Sequence, residues 1–164
     1  MATPLIGSEL VDVSEVTLSP GKGELQLIQE QGTLFAEVRL LASDVLGSET
    51  IPSTDAELKE AKKSKKTLSK AKNVFKFDKK TKLKKYEVLD AFYTFELEED
   101  VESEDAPAFI VEYELRPVSK QDTITLEVVL FDKVPSLEAL SVTIMNLGDE
   151  KQLTLTPSEN AIQL

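Results

Sequence analysis

The sequence predicts an all-β fold, an antiparallel β-sandwich or barrel of about nine strands with one lysine-rich helix and hairpin insertion. Short runs alternate apolar and polar side chains, which is the pattern of half-buried strands, and Gly, Pro, Asn and Asp separate these runs. One window departs from the alternation and contains most of the lysines. A chain of 164 residues with 41% apolar content suffices for a single domain over residues 1–164.

The first two runs predict a β-hairpin. They flank Glu30-Gln31-Gly32, where the glycine can adopt a positive φ in a tight connection. The apolar positions expected on one face of this hairpin are Leu25, Leu27, Leu34, Ala36, Val38 and Leu40.

Three later runs predict further strands, with apolar faces over 109–115, 124–130 and 140–144. The segments 116–120, 132–136 and 146–149 follow them, and each contains Pro or Gly, so we expect turns there.

The run from about Lys84 to Glu99 changes phase. Val88 has one parity, whereas Leu89 and Ala91 have the other, so the apolar set would change face. We expect a bulge or a sheet crossing near Val88 to Asp90, in a curved core strand or, alternatively, in an arm.

The segment 42–85 is predicted to be an inserted lysine-rich arm or loop with one helix. Thr54 and Glu57 have the spacing of a capping box, which indicates a helix from Asp55 to about Lys72. Because its apolar stripe is thin and its lysines repel one another, we expect the helix to depend on a negatively charged neighbour. A short strand over 73–77 and a turn over 78–82 should follow.

Charge is strongly segregated along the chain. Residues 59–85 contain thirteen of the nineteen cationic residues and two acids, giving 13 − 2 = +11, whereas the remainder gives 6 − 28 = −22. Such a chain can attract itself, its copies or a polyanion. The interacting residues that we expect on the basic side are Lys62, Lys63, Lys65, Lys66, Lys79, Lys80, Lys82 and Lys84. Those on the acidic side are Glu98, Glu99, Asp100, Glu102, Glu104 and Asp105.

The composition removes much catalytic chemistry. The chain has no Cys and no His, so it lacks thiols, the commonest general base and the commonest nitrogen ligand of zinc. Gly21-Lys22-Gly23 lacks the spacing of a phosphate-binding loop, and the acidic run 96–105 lacks that of an EF-hand. We therefore expect no enzyme activity, no catalytic residue, no metal site and no cofactor.

These features predict a non-enzymatic structural or assembly protein, a homo-oligomer or a subunit of a larger complex joined through complementary charges. In general design it resembles the small β-sandwich or β-barrel subunits of virion tubes, phage decoration layers and contractile secretion devices, so we expect a virion tube, decoration or secretion-tube subunit, with a virion tail tube slightly favoured. The alternative is a monomeric binding module whose lysines engage a polyanion, such as nucleic acid or an acidic protein.

The sequence also carries an expectation about location. Met1 to Leu10 do not resemble a signal peptide, and no apolar stretch approaches the ~20 residues needed to cross a bilayer. A cytoplasmic or virion protein without membrane contact is expected.

Overall fold

Two β-sheets share one apolar core in the computed structural model, which describes residues 18–47, 54–93, 108–119, 123–146 and 148–164. Within this part of the chain, side chains are described except at 83–85 and 92–93. The strands are β1 (Lys22–Glu30), β2 (Thr33–Leu41), β3 (Phe75–Phe77), β4 (Thr81–Tyr93), β5 (Ala108–Ser119), β6 (Thr125–Val128), β7 (Ala139–Asn146), β8 (Asp149–Leu155) and β9 (Ala161–Gln163). The helices are α1 (Ala42–Leu46), α2 (Asp55–Leu68) and α3 (Leu130–Lys133), with a 3₁₀ turn at Ala71–Asn73.

The larger sheet has six strands in the order β4-β5-β2-β1-β7-β8, and the smaller has three in the order β3-β6-β9. The predicted all-β class is therefore confirmed. The barrel alternative is wrong, because among the described strands each sheet is open at both edges. The expectation of wholly antiparallel pairing fails at one place, since β1 and β7 run parallel from the pair Lys22 and Ala139 onward.

The predicted hairpin is confirmed. Glu30 pairs with Thr33 across a two-residue turn, in which Gln31 has φ 46° and Gly32 has φ 82°. Positive φ at both central positions gives the turn the twist of the flanking strands, which explains why a glycine stands there.

The alternating apolar residues of β5 and β7 point into the core. Phe109, Val111, Tyr113 and Leu115 are 0–1% exposed, as predicted. The turn expected at 116–120 is wrong, because β5 continues to Ser119. Pro117 is tolerated inside a strand because the ladder between β5 and β2 ends at the pair Leu115 and Leu34, so the proline interrupts no pairing on that side.

The predicted bulge is confirmed. The register between β4 and β5 shifts between Val88 and Asp90, and it shifts again between Leu83 and Lys85. The extra residue at the first shift is Leu89, which is 48% exposed.

The predicted capping box begins α2. The N–H of Glu57 donates to the Thr54 hydroxyl at 3.1 Å, and the N–H of Thr54 donates to the Glu57 carboxylate at 3.1 Å. The helix ends at Leu68 rather than near Lys72, because Asn73 donates its side-chain amide to the Thr67 carbonyl at 2.8 Å and closes the last turn.

Helix α2 packs on the inner side of the six-stranded sheet. Ala61 and Leu68 lie in the shared core, and the buried Tyr113 hydroxyl donates a hydrogen bond to the Leu68 carbonyl. The Tyr113 ring also meets the Phe75 ring edge to face, with 5.3 Å between centroids. Segment 42–85 thus contributes to the common core, whereas its role as an arm stays a prediction.

Asp44 of α1 fixes the turn that leads into β1. Its two carboxylate oxygens accept from the Gly21 N–H at 3.0 and 2.9 Å, and the Gly21 carbonyl accepts from Glu138 N–H at 2.7 Å. Burial raises the pKa of Asp44, the Gly21 N–H lowers it in part, and the charge of Glu138 raises it further.

Replacing Asp44 should change how stability depends on pH. The pKa of Asp44 in the folded protein lies above its ordinary value of 3.8, so folding favours the protonated carboxyl. The resulting stabilisation is fully present below pH 3.8 and is lost as the pH rises through the folded-state pKa. We expect Asp44→Asn to keep the acceptor, remove this pH-dependent loss and unfold at neutral pH no more easily than wild type.

The matched variant Asp44→Ala leaves the buried Gly21 N–H without this acceptor, at a cost of about 1–3 kcal/mol. Urea unfolding at about pH 4 and about pH 7 tests both variants. If Asp44→Asn and Asp44→Ala were equally destabilised at neutral pH, the negative charge of Asp44, and not only its acceptor oxygen, would be needed for stability.

Among the residues described, no helix combines the length and the apolar character that a membrane-crossing helix needs.

Candidate functional site

The candidate site is a carboxylate-rich outer surface of the six-stranded sheet. Side chains alternate along a strand, so the burial of Val38, Val111 and Tyr113 turns Glu37 and Glu112 to the opposite, solvent side. The alternation that builds the core therefore also builds this surface.

Strand register brings the acids of different strands together. Glu37 of β2 lies opposite Glu112 of β5, and Glu112 lies opposite Asp90 of β4. Glu114 and Glu87 form a second facing pair, and Glu24 of β1 lies beside this group, opposite Arg39. We call these six residues the acidic face: Glu24, Glu37, Glu87, Asp90, Glu112 and Glu114.

Two arginines partly neutralise the acidic face. The Arg39 Nε lies 2.7 Å from a Glu37 carboxylate oxygen, and the Arg116 Nη2 lies 2.9 Å from a Glu114 oxygen. Both pairs are partly exposed and join residues two apart on one strand, so each contributes modestly to stability. Six carboxylates against two guanidinium groups leave the surface negative.

The crowding of carboxylates changes their protonation. Burial raises the pKa of Glu112, and the charge of Glu37, a hydrogen bond to Glu37 and the charge of Asp90 raise it further. Burial also raises the pKa of Glu24, with Arg39 opposing and Glu37 adding to the effect. An external positive charge would therefore relieve repulsion within this surface.

The acidic face is not a preformed chelating site. Within the described ranges, no three Asp, Glu, His or Cys side chains converge in a way that could hold a metal ion. The whole sequence contains no His and no Cys. The anionic ligands that this surface offers a cation are carboxylates, and water would complete its coordination.

The lysines predicted to interact lie elsewhere in the fold. On α2, Lys62, Lys63 and Lys66 are exposed and Lys65 is half-buried. Three more exposed lysines lie at the turn before β4 and at its start; they are Lys79, Lys80 and Lys82. These six exposed lysines form no ion pair with another residue of the described part.

The predicted acidic partners cannot be placed. The side chain of Lys84 and the residues Glu98, Glu99, Asp100, Glu102, Glu104 and Asp105 lie outside what the structure describes. The predicted contact between these acids and the lysines stays a prediction, as does the binding of a polyanion.

Sequence reasoning missed the acidic face. A signal was present, because Glu24, Glu37 and Glu112 occupy the polar positions of alternating runs. Their proximity depends on the neighbours β2, β5 and β4, an order that the sequence did not reveal.

Comparison with known proteins supplies the family. No curated protein matches this chain. The model of the ZrgA family, described as zinc uptake proteins, matches residues 19–164. The predicted role as a virion or tail-tube component is wrong, because this match indicates metal uptake instead. Since the match extends over most of the sequence, the chain belongs to the ZrgA family of zinc uptake proteins.

Proposed function

We propose that this chain takes part in zinc uptake as a non-enzymatic protein that holds Zn²⁺ weakly and exchangeably at the carboxylates of the acidic face. The observation that carries the proposal is the family match over residues 19–164. The acidic face supplies the chemistry, and the composition of the chain sets its limits.

Weak binding follows from the available ligands. Zinc sites of high affinity are usually built from thiolate and imidazole groups in tetrahedral arrangements. This sequence has neither group, and the described residues hold no cluster of three acids in position to ligate a metal. Carboxylate oxygens do bind zinc, so contact with one or two of them is the chemistry that remains.

Among the described surfaces, the acidic face is where we expect a bound zinc ion to be stabilised most. Glu37, Glu112 and Asp90 lie side by side across three strands, and burial, with the repulsion of the neighbouring carboxylates added to it, raises the pKa of Glu112. A divalent cation offsets that repulsion and competes with the proton on Glu112. Zinc binding should therefore strengthen as pH rises from the acid range towards neutrality.

Weak binding also suits an uptake role. Affinities of related complexes differ mainly in their dissociation rates, so a weakly held ion is released quickly. A carrier that passes its cargo onward needs such release, whereas a closed structural site would retain the ion.

Zinc titration of the full chain tests the proposal. Calorimetry in a buffer without chelators should give a dissociation constant of about 10 μM or weaker. The variant Glu37→Gln/Asp90→Asn/Glu112→Gln should weaken binding at least about threefold, because it removes three neighbouring carboxylates. The matched control Asp132→Asn/Glu138→Gln/Glu159→Gln removes three exposed charges elsewhere and should bind nearly as wild type.

Three results would contradict the proposal. Submicromolar affinity would require ligands beyond isolated carboxylates. Equal losses of zinc affinity in the two triple variants would show that the acidic face is not the binding site. No detectable binding at millimolar zinc would exclude direct contact of this chain with the ion.

A further inference from the structure

The exposed side of α2 is a stripe of lysines. Lys59, Lys62, Lys63 and Lys66 follow the spacing i, i+3, i+4 and i+7, so they share one face of the helix. All four are exposed, and none pairs with another residue of the described part. We call these four residues the lysine stripe.

The six-stranded sheet separates the lysine stripe from the acidic face. Helix α2 lies on the inner side of this sheet, where Ala61 and Leu68 pack in the core and Tyr113 bonds to the Leu68 carbonyl. Glu112 and Glu114 flank Tyr113 in β5 and therefore point to the outer side. The lysine stripe of one copy cannot reach across the sheet to the acidic face of the same copy.

We infer that the lysine stripe docks on the acidic face of a second copy of this chain. The contact is complementary in charge, since one surface carries four lysines and the other carries six acids with two arginines. Phe35 and Ile28 are half-buried neighbours on the outer side of the sheet, and Met145 beside them is 37% exposed. A docked helix would also cover these apolar side chains.

The contact is head to tail, because two different surfaces of the same molecule meet. Each copy keeps one unused surface after the first contact, so association continues into a ring or an open chain. The acidic face lies on the outer side of the sheet before and after docking. A lysine of the next copy can therefore bind there without any change in the fold.

The net charge of −11 opposes approach at long range but not at contact. At about 0.15 M ionic strength the screening length is about 8 Å, so the facing side chains dominate once the surfaces meet. Association should weaken at least about tenfold when the salt is raised to about 1 M, where the screening length falls to about 3 Å.

Sedimentation of the full chain in a chelating buffer tests this inference without involving zinc. Wild type should associate as its concentration rises from about 5 to about 500 μM. The variant Lys62→Glu/Lys63→Glu/Lys66→Glu and the variant Glu87→Lys/Asp90→Lys should each weaken association at least about tenfold. The control Lys79→Glu/Lys133→Glu/Lys151→Glu reverses three exposed lysines that belong to neither surface, has the same net charge as the first variant and should associate nearly as wild type.

Mixing the two interface variants gives the sharpest result. The first retains an intact acidic face and the second retains an intact lysine stripe, so a 1:1 mixture should associate at concentrations at which neither variant associates alone. A wild type that stays monomeric throughout overturns the inference. The inference is also overturned if the control variant dissociates like the first variant. It is overturned as well if the two variants are folded but do not associate with each other when mixed. Circular dichroism confirms that each variant keeps the β fold.

Discussion

Replacing Tyr113 by alanine is expected to lower the free energy of unfolding by about 3–5 kcal/mol, the range for deleting a buried aromatic side chain. Tyr113 is fully buried, meets Phe75 edge to face and binds the Leu68 carbonyl at the end of α2. The substitution removes the ring contact, the hydrogen bond and the buried ring itself, and it leaves a cavity between the sheet and the helix. Urea unfolding measures this loss. The dependence of the unfolding free energy on urea concentration is compared with that of wild type, to check that the variant unfolds in the same way.

The variant Tyr113→Phe isolates the hydrogen bond. It keeps the ring and its contact with Phe75 but leaves the Leu68 carbonyl without the hydroxyl, at a cost of about 1–2 kcal/mol. Hydrogen exchange should show the faster opening concentrated in α2. A Phe variant as stable as wild type would mean that the hydroxyl contributes nothing to holding the helix.

Replacing Gly23 by valine is the second change from which we expect a large effect. A Cβ at this position would lie 2.6 Å from Leu40 Cδ2, 3.1 Å from the Arg39 carbonyl oxygen and 3.1 Å from Leu140 Cδ1. The leucine ends can turn aside, but the carbonyl belongs to the paired strand β2 and cannot. We expect a loss of about 1–3 kcal/mol from overpacking.

Thermal unfolding measures the effect of Gly23→Val, since a chain of this size loses about 2–4 °C per kcal/mol. The matched control Ser141→Val adds a valine to the exposed side of β7 and should unfold near the wild-type temperature. An unchanged melting temperature for Gly23→Val would show that β1 can move away from its neighbours β2 and β7.

Local features of the fold could be predicted from the sequence, because their causes lie within a few residues. Gly32 indicates the hairpin turn, the phase change at Val88 indicates the bulge, and Thr54 with Glu57 indicates the start of α2. Each depends on backbone conformation or on side-chain alternation, which adjacent residues determine.

Long-range features could not be predicted in the same way. The parallel pair of β1 and β7 joins residues more than a hundred positions apart, and nothing in either strand indicates its partner. The support of α2 by Tyr113 is likewise invisible, because the bond goes to a backbone carbonyl 45 residues away. The lysines made the helix look unsupported, although Ala61 and Leu68 suffice to place it in the core.

The candidate site shows the same division. A run of acids such as 98–105 is conspicuous in the sequence, whereas the acidic face draws single residues from separate strands. Alternation predicts that Glu37 and Glu112 face solvent. Their proximity follows from register across β2 and β5, which is a property of the folded sheet.

Among the residues described, the lysine stripe and the acidic face lie on opposite sides of one sheet, which gives this part of the molecule an electric dipole whose axis crosses the sheet. A net charge of −11 would suggest repulsion from every negatively charged body. A dipole turns in a field, so near an anionic surface the molecule presents α2 first, and near a cationic one it presents the acidic face. The protein should therefore adhere to ion exchangers of either sign, with opposite sides buried, despite an isoelectric point of about 4.6.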